Sequence, residues 1–137
     1  MYLETASTHT GTNVEYSRAT LAALGLQEAS STIVVVQQPQ LHLRTCLTWE
    51  KQTGRRPLGW TIRPTESAVG RSVAEQLQYA LGELKRIPSY AADDKGFCVM
   101  PGDFPHELAA TVSLLEPSID AAVALEKDRK QRSATAR

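Results

Sequence analysis

The run Thr32-Ile33-Val34-Val35-Val36-Gln37 constrains this chain more than any other segment. It is short, β-branched and without polar alternation, so it reads as a strand. A strand with no polar face is normally buried on both sides, as in a parallel sheet covered by helices. Its neighbours agree. Gln38-Pro39 turns the chain, and Pro39 suits the first turn of a helix. Leu43, Cys46, Leu47 and Glu50 then share one helical face, and Gly54 stops it. Arg55-Arg56-Pro57 is a loop. Leu58 to Arg63 alternates, with Trp60 and Ile62 on one side, which predicts a second strand closed by Pro64. Upstream, Thr12-Asn13-Val14-Glu15 reads as a helix start with Glu15 reaching back in a capping box. Val14, Ser17, Leu21 and Leu24 continue the helix, and Gly25 ends it.

The order helix, strand, helix, strand predicts an α/β chain with a parallel sheet flanked by helices. Two strands are few for a sheet buried on both faces. Tyr2-Leu3-Glu4 is the candidate end of a third, and further N-terminal strands are expected before Met1. Past the sheet, Val69, Val73, Leu77, Leu81 and Leu84 mark a long amphipathic helix ending before Pro88. Residues 89–95 read as a polar loop, and Phe97 and Val99 as a short strand or an anchored segment. Asp103 suits a helix cap near Pro105, and Pro117 is expected to break that helix and start another. These features predict one domain over residues 1–126. Residues 1–66 form its core, residues 67–126 a helical C-terminal end, and the basic tail 127–137 is expected to be disordered.

Lys plus Arg equals Asp plus Glu at 15 each. A neutral chain offers no global attraction to nucleic acid or acidic membranes. No apolar run reaches the ~18 residues needed to span a bilayer. Met1-Tyr2-Leu3-Glu4 shows no signal-peptide pattern. Cys46 and Cys98 form no C-x-x-C pair and read as reduced, partly buried thiols of a cytoplasmic protein. His9, His42 and His106 show no metal-ligand spacing with the cysteines, and His42 reads as a surface residue.

Ligands of parallel α/β sheets bind at the carboxyl ends of strands, on loops leading into helices. Two loops fit. One is Ser7-Thr8-His9-Thr10-Gly11-Thr12-Asn13, ahead of the first helix. The other is Gln37-Gln38-Pro39, ahead of the second. Hydroxyls, a glycine and an amide at a helix N-terminus suit phosphate or carboxylate groups. The same residue types also make an ordinary capped turn.

Leu3-Glu4-Thr5-Ala6-Ser7-Thr8-His9-Thr10-Gly11-Thr12-Asn13-Val14-Glu15-Tyr16-Ser17 resembles the Glu-x-x-Ser-x-Asn-Thr-x-Glu-Asn segment of the YdcF/SanA/ElyC-like family, a domain of unknown function. The stretch Val34 to Thr45 resembles that family's next piece, a hydrophobic strand, a polar turn and a helix carrying Arg. Asp103-Phe104-Pro105 resembles the opening of the helical end in the YdcF branch. The resemblance implies a Rossmann-like parallel sheet, with about half of the domain upstream of the Ser7 segment. It implies a small-molecule site to which Glu4, Ser7, Thr8, Gly11, Asn13 and Ser17 correspond in the first motif and Arg44 in the second. Gln38 joins them from the second loop. His9 stands where the family usually has Asn, and Thr12 where it usually has Glu, which removes the obvious acid–base candidate.

The resulting expectation is a nucleotide-like ligand bound at the Ser7 to Asn13 loop, with S-adenosylmethionine a possible cofactor by resemblance alone. No reaction is assigned. The alternative is a truncated or inactive remnant with a structural role, or a homo-oligomer joined through an exposed sheet edge.

Overall fold

The computed structural model describes residues 2–27, 30–62, 72–92, 97–100, 102 and 107–135. The fold is mixed α/β and mostly helical. In chain order it contains α1 (Thr10–Ala23), β1 (Val34–Gln37), α2 (Pro39–Thr53), β2 (Leu58–Thr61), α3 (Val73–Ala92) and α4 (Glu107–Thr135). The chain divides into two compact units, Met1–Arg63 with Ile87–Gly102, and Pro64–Arg86 with Asp103–Arg137.

In the first unit β1 and β2 pair in parallel, Val34 opposite Leu58 and Val36 opposite Trp60. α2 connects them, as the strand–helix–strand order predicts. Pro39 opens α2, and Gly54 closes it at φ 70°, a left-handed conformation glycine adopts without steric cost. Gly25 follows α1 at φ 72° in the same way. The core gathers Val14 of α1, Cys46, Leu47 and Trp49 of α2, Ile87, and Cys98. The segment with Phe97 and Val99 is anchored rather than a strand. Val99 donates its N–H to the Leu47 carbonyl at 3.3 Å, and the Cys98 thiol donates to the Ile87 carbonyl at 3.5 Å.

The sheet departs from expectation in burial. β1 was predicted to be buried on both faces, yet its residues alternate between exposed and half-buried. The reason is that α2 covers one face. The His42 ring of α2 lies against Gly59 of β2, where an added Cβ would collide with it, so His42 is packed on the sheet and also meets the Cys46 thiol at 3.6 Å. On the other face Val34 is 53% exposed, Val36 56% and Trp60 67%. Tyr2-Leu3-Glu4 is not a strand, and among the described residues the sheet has two strands.

In the second unit three side-chain contacts set α3 against α4 in antiparallel order. Lys85 pairs with Glu116, Gln78 donates to Asp120 at 2.7 Å, and Lys130 approaches Glu75 at 3.6 Å. Glu83 is buried there and pairs with Arg86 at 2.6 Å. Both prolines expected to end helices lie inside them. α3 continues through Pro88 to Ala92, taking up the first part of the predicted polar loop. α4 continues through Pro117 and on through the tail to Thr135. The predicted positions Arg63, Val69, Asp103, Pro105 and His106 lie outside the described residues. Among the described residues no helix is long and apolar enough to cross a membrane.

Candidate functional site

α1 begins two residues earlier than Thr12. His9 is its N-cap, and the capping box joins His9 to Thr12 rather than using Glu15. Thr12 donates its N–H to His9 Nδ1 at 3.3 Å. Thr12 Oγ1 accepts from the N–H groups of Thr8 and His9, both at 3.2 Å, and donates to the His9 carbonyl at 3.0 Å. The two positions that depart from the resembled motif are therefore joined in one device. Thr12 stands at the third helical residue, where a Glu would reach back to the same amide. Loss of the carboxylate leaves the cap intact.

Ahead of the cap, Glu4 organises the loop. Its Oε1 accepts from the N–H groups of Ala6 and of Ser7, the latter at 2.9 Å. The Ser7 hydroxyl beside it is the main cause holding the Glu4 carboxyl below the usual carboxylate range. Partial burial opposes that shift, and the two backbone amides reinforce it. Glu4 Oε2 is shielded from solvent and has no hydrogen-bond partner among the described residues.

Two cavities meet at this loop. The smaller, about 260 Å³, is lined by Ser7, Thr8, His9, Thr10 and Asn13 from the loop and α1, by Gln37 at the end of β1, and by Thr45 of α2. Every lining side chain is polar. The larger, about 590 Å³, runs as a groove between α1 and the length of β1. Glu4, Asn13 and Ser17 stand along it, and Val14, Leu21 and Leu24 give it an apolar wall. Asn13, Gln37 and Thr45 border both spaces, so the two are contiguous.

The candidate residues sort accordingly. Ser7, Thr8 and Asn13 line the polar pocket, and Glu4, Asn13 and Ser17 line the groove. Asn13 Nδ2 donates to Ser7 Oγ at 3.5 Å, a weak bond that a ligand atom can replace. Gly11, Gln38 and Arg44 line neither cavity. Gly11 is small for packing reasons. A Cβ there would lie 3.1 Å from the Phe97 ring and 3.2 Å from His9, and its carbonyl accepts from Gln52 Nε2 at 3.0 Å. Gln38 is exposed and makes no side-chain cap to α2. Arg44, matched to the second motif, donates to Thr10 Oγ1 at 2.9 Å and lies 5.7 Å from the Tyr90 ring centroid. It braces a pocket residue from behind, through a cation–π contact and a charge-assisted hydrogen bond.

His9, Thr10, Gln37 and Thr45 also line the pocket, beyond the residues expected to bind a ligand. Gln37 was signalled, since it ends the strand whose carboxyl edge was expected to carry the site. Thr45 was signalled less clearly, as the α2 residue one turn past Leu41. Among the described residues no group of three or more His, Cys, Asp or Glu side chains has the arrangement to hold a metal ion. Comparison of the chain with protein-family models, with curated proteins and with solved structures returns no match, so the site is read from its own geometry.

Proposed function

We propose that the chain is a YdcF-like, Rossmann-like small-molecule binder whose ligand is nucleotide-like, with S-adenosylmethionine among the candidates. The observation that supports this most is the contiguity of an all-polar pocket with a half-apolar groove at the carboxyl end of β1. A nucleotide-like molecule has the same division. Its phosphate, ribose or carboxylate part suits hydroxyls, an amide and the start of a helix. Its flat, largely apolar base suits the wall formed by Val14, Leu21 and Leu24. Asn13 stands where the two parts of such a ligand join. Glu4 Oε2, shielded and unpartnered, accepts a ribose hydroxyl or an amine. No reaction is assigned; the imidazole in the pocket, His9, accepts from the Thr12 N–H through Nδ1 in the helix cap.

Calorimetric titration with adenosine, AMP, ATP, S-adenosylmethionine and S-adenosylhomocysteine tests the reading. At least one of them should bind, and Asn13→Ala should weaken it by roughly 2- to 12-fold, the loss of one neutral hydrogen bond. Gln38→Ala, at a residue that lines neither cavity, should leave the affinity unchanged. Absence of heat and of thermal stabilisation with every compound would sink the proposal.

A further inference from the structure

The sheet face turned away from α2 is apolar and bare. Strand alternation and the parallel register put Val34 beside Leu58 and Val36 beside Trp60 on that face. Ile62 extends the row, held by its N–H donating to the Gln37 carbonyl at 3.2 Å. Leu58 is 62% exposed and Ile62 51%, in addition to the values given for Val34, Val36 and Trp60. Together these five side chains present on the order of 500 Å² of surface, at the upper end of what monomeric proteins leave open.

We propose that this face is the interface of a symmetric homodimer, with the bare sheets of two copies packed against each other. Three observations select a second copy as the occupant. First, a two-fold contact uses the patch twice and buries about 1,000 Å² in total, the threshold for a specific interface. Second, the patch is made only of Val, Leu, Trp and Ile, so facing itself it buries no charge, and its one polar group is the Trp60 indole N–H. Third, the chain carries 15 basic and 15 acidic residues, so two copies approach without net repulsion. The contact is made through the face, where the exposed apolar side chains stand in one row. Trp60 lies in the middle of the patch, between Leu58 and Ile62 along the chain and opposite Val36 across the sheet, and is its anchor. The inference goes beyond the ligand proposal: Leu58, Trp60 and Ile62 lie outside the groove, and Val34 and Val36 border it.

Light scattering on the size-fractionated 137-residue chain reads the result directly. The expected mass is twice the 15.0 kDa of one chain. Trp60→Glu should raise the dissociation constant by about 30-fold or more, while Leu114→Glu, at an exposed position on α4, should leave the dimer intact. In the unchanged chain, dilution should shift tryptophan emission to the red as Trp60 enters water, because Trp49 stays buried. If Trp60→Glu loses its far-ultraviolet circular dichroism, Val36→Lys and the dilution series on the unchanged chain decide the matter. A chain that remains monomeric at about 1 mM overturns the proposal, whether Trp60 is then open to a quencher or covered by the chain's own helices. So does a dimer indifferent to both substitutions.

Discussion

Gly59 shows how one residue fixes the seating of a helix on a sheet. The His42 ring occupies the space a side chain at position 59 would take. Gly59→Ala should therefore destabilise the fold by about 1–3 kcal/mol in urea unfolding, and His42→Ala in the same chain should recover part of that loss. His42 reads as a surface residue in the sequence because it stands two positions before Arg44 and does not share a helix face with it. Its seat on the sheet depends on a glycine from a strand seventeen positions away, which no local pattern reports. Glu4 gives a pH signature. Its folded carboxyl is held below the usual range, so it adds stability above the ordinary glutamate pKa. That contribution fades as pH falls through the lowered value. Melting temperatures measured from pH 7 down to about pH 3 should differ between the unchanged chain and Glu4→Gln at the neutral end and converge at the acid end.

At the scale of elements, the prolines carry the clearest lesson. A proline inside a helix loses one backbone hydrogen bond and costs about 3 kcal/mol. That is why the sequence argues for breaks at Pro88 and Pro117. Both lie within helices. The loss is local, and α4 extends far enough on either side of Pro117 for Ala, Leu, Glu and Lys to sustain it. Pro117→Ala should raise helicity and increase stability by as much as ~3 kcal/mol, read from circular dichroism and thermal melting. The start of α3 is written in the sequence. Ser72-Val73-Ala74-Glu75 spells a capping box, realised by Ser72 donating its N–H to Glu75 at 2.7 Å and Glu75 returning its own to Ser72 Oγ at 3.2 Å. Val69, at helical spacing, drew the expected start upstream. β1, α2 and β2 were legible because β-branched runs, Pro39 and Gly54 each act over a few residues. The exposure of β1 was not, because burial is decided by what covers a strand and not by the strand.

At the scale of the whole molecule, the division into two units has no marker in the sequence. Ile87–Gly102 returns to the first unit through Ile87 and Cys98, two buried apolar residues on either side of the stretch that reads as a polar loop. The polar pocket was partly legible. Ser7, Thr8 and Asn13 could be named from the loop, whereas Thr45 enters from the crossover helix and needs the fold to bring it there. The division also gives the chain a built-in reporter. Its two cysteines, Cys46 and Cys98, both belong to the first unit and are buried. Burial pushes both thiols up, against the opposing charges of Arg56 at Cys46 and of Arg44 and Lys51 at Cys98. Folded chains should thus react slowly with an alkylating reagent, and each labelling event should time an opening that parts α2 from the 97–100 segment. A ligand that binds only the closed form, held at about 100 times its Kd, should slow that clock about 100-fold. Mass spectrometry of the labelled chain would then follow occupancy of the pocket with no dye, tag or assay of activity.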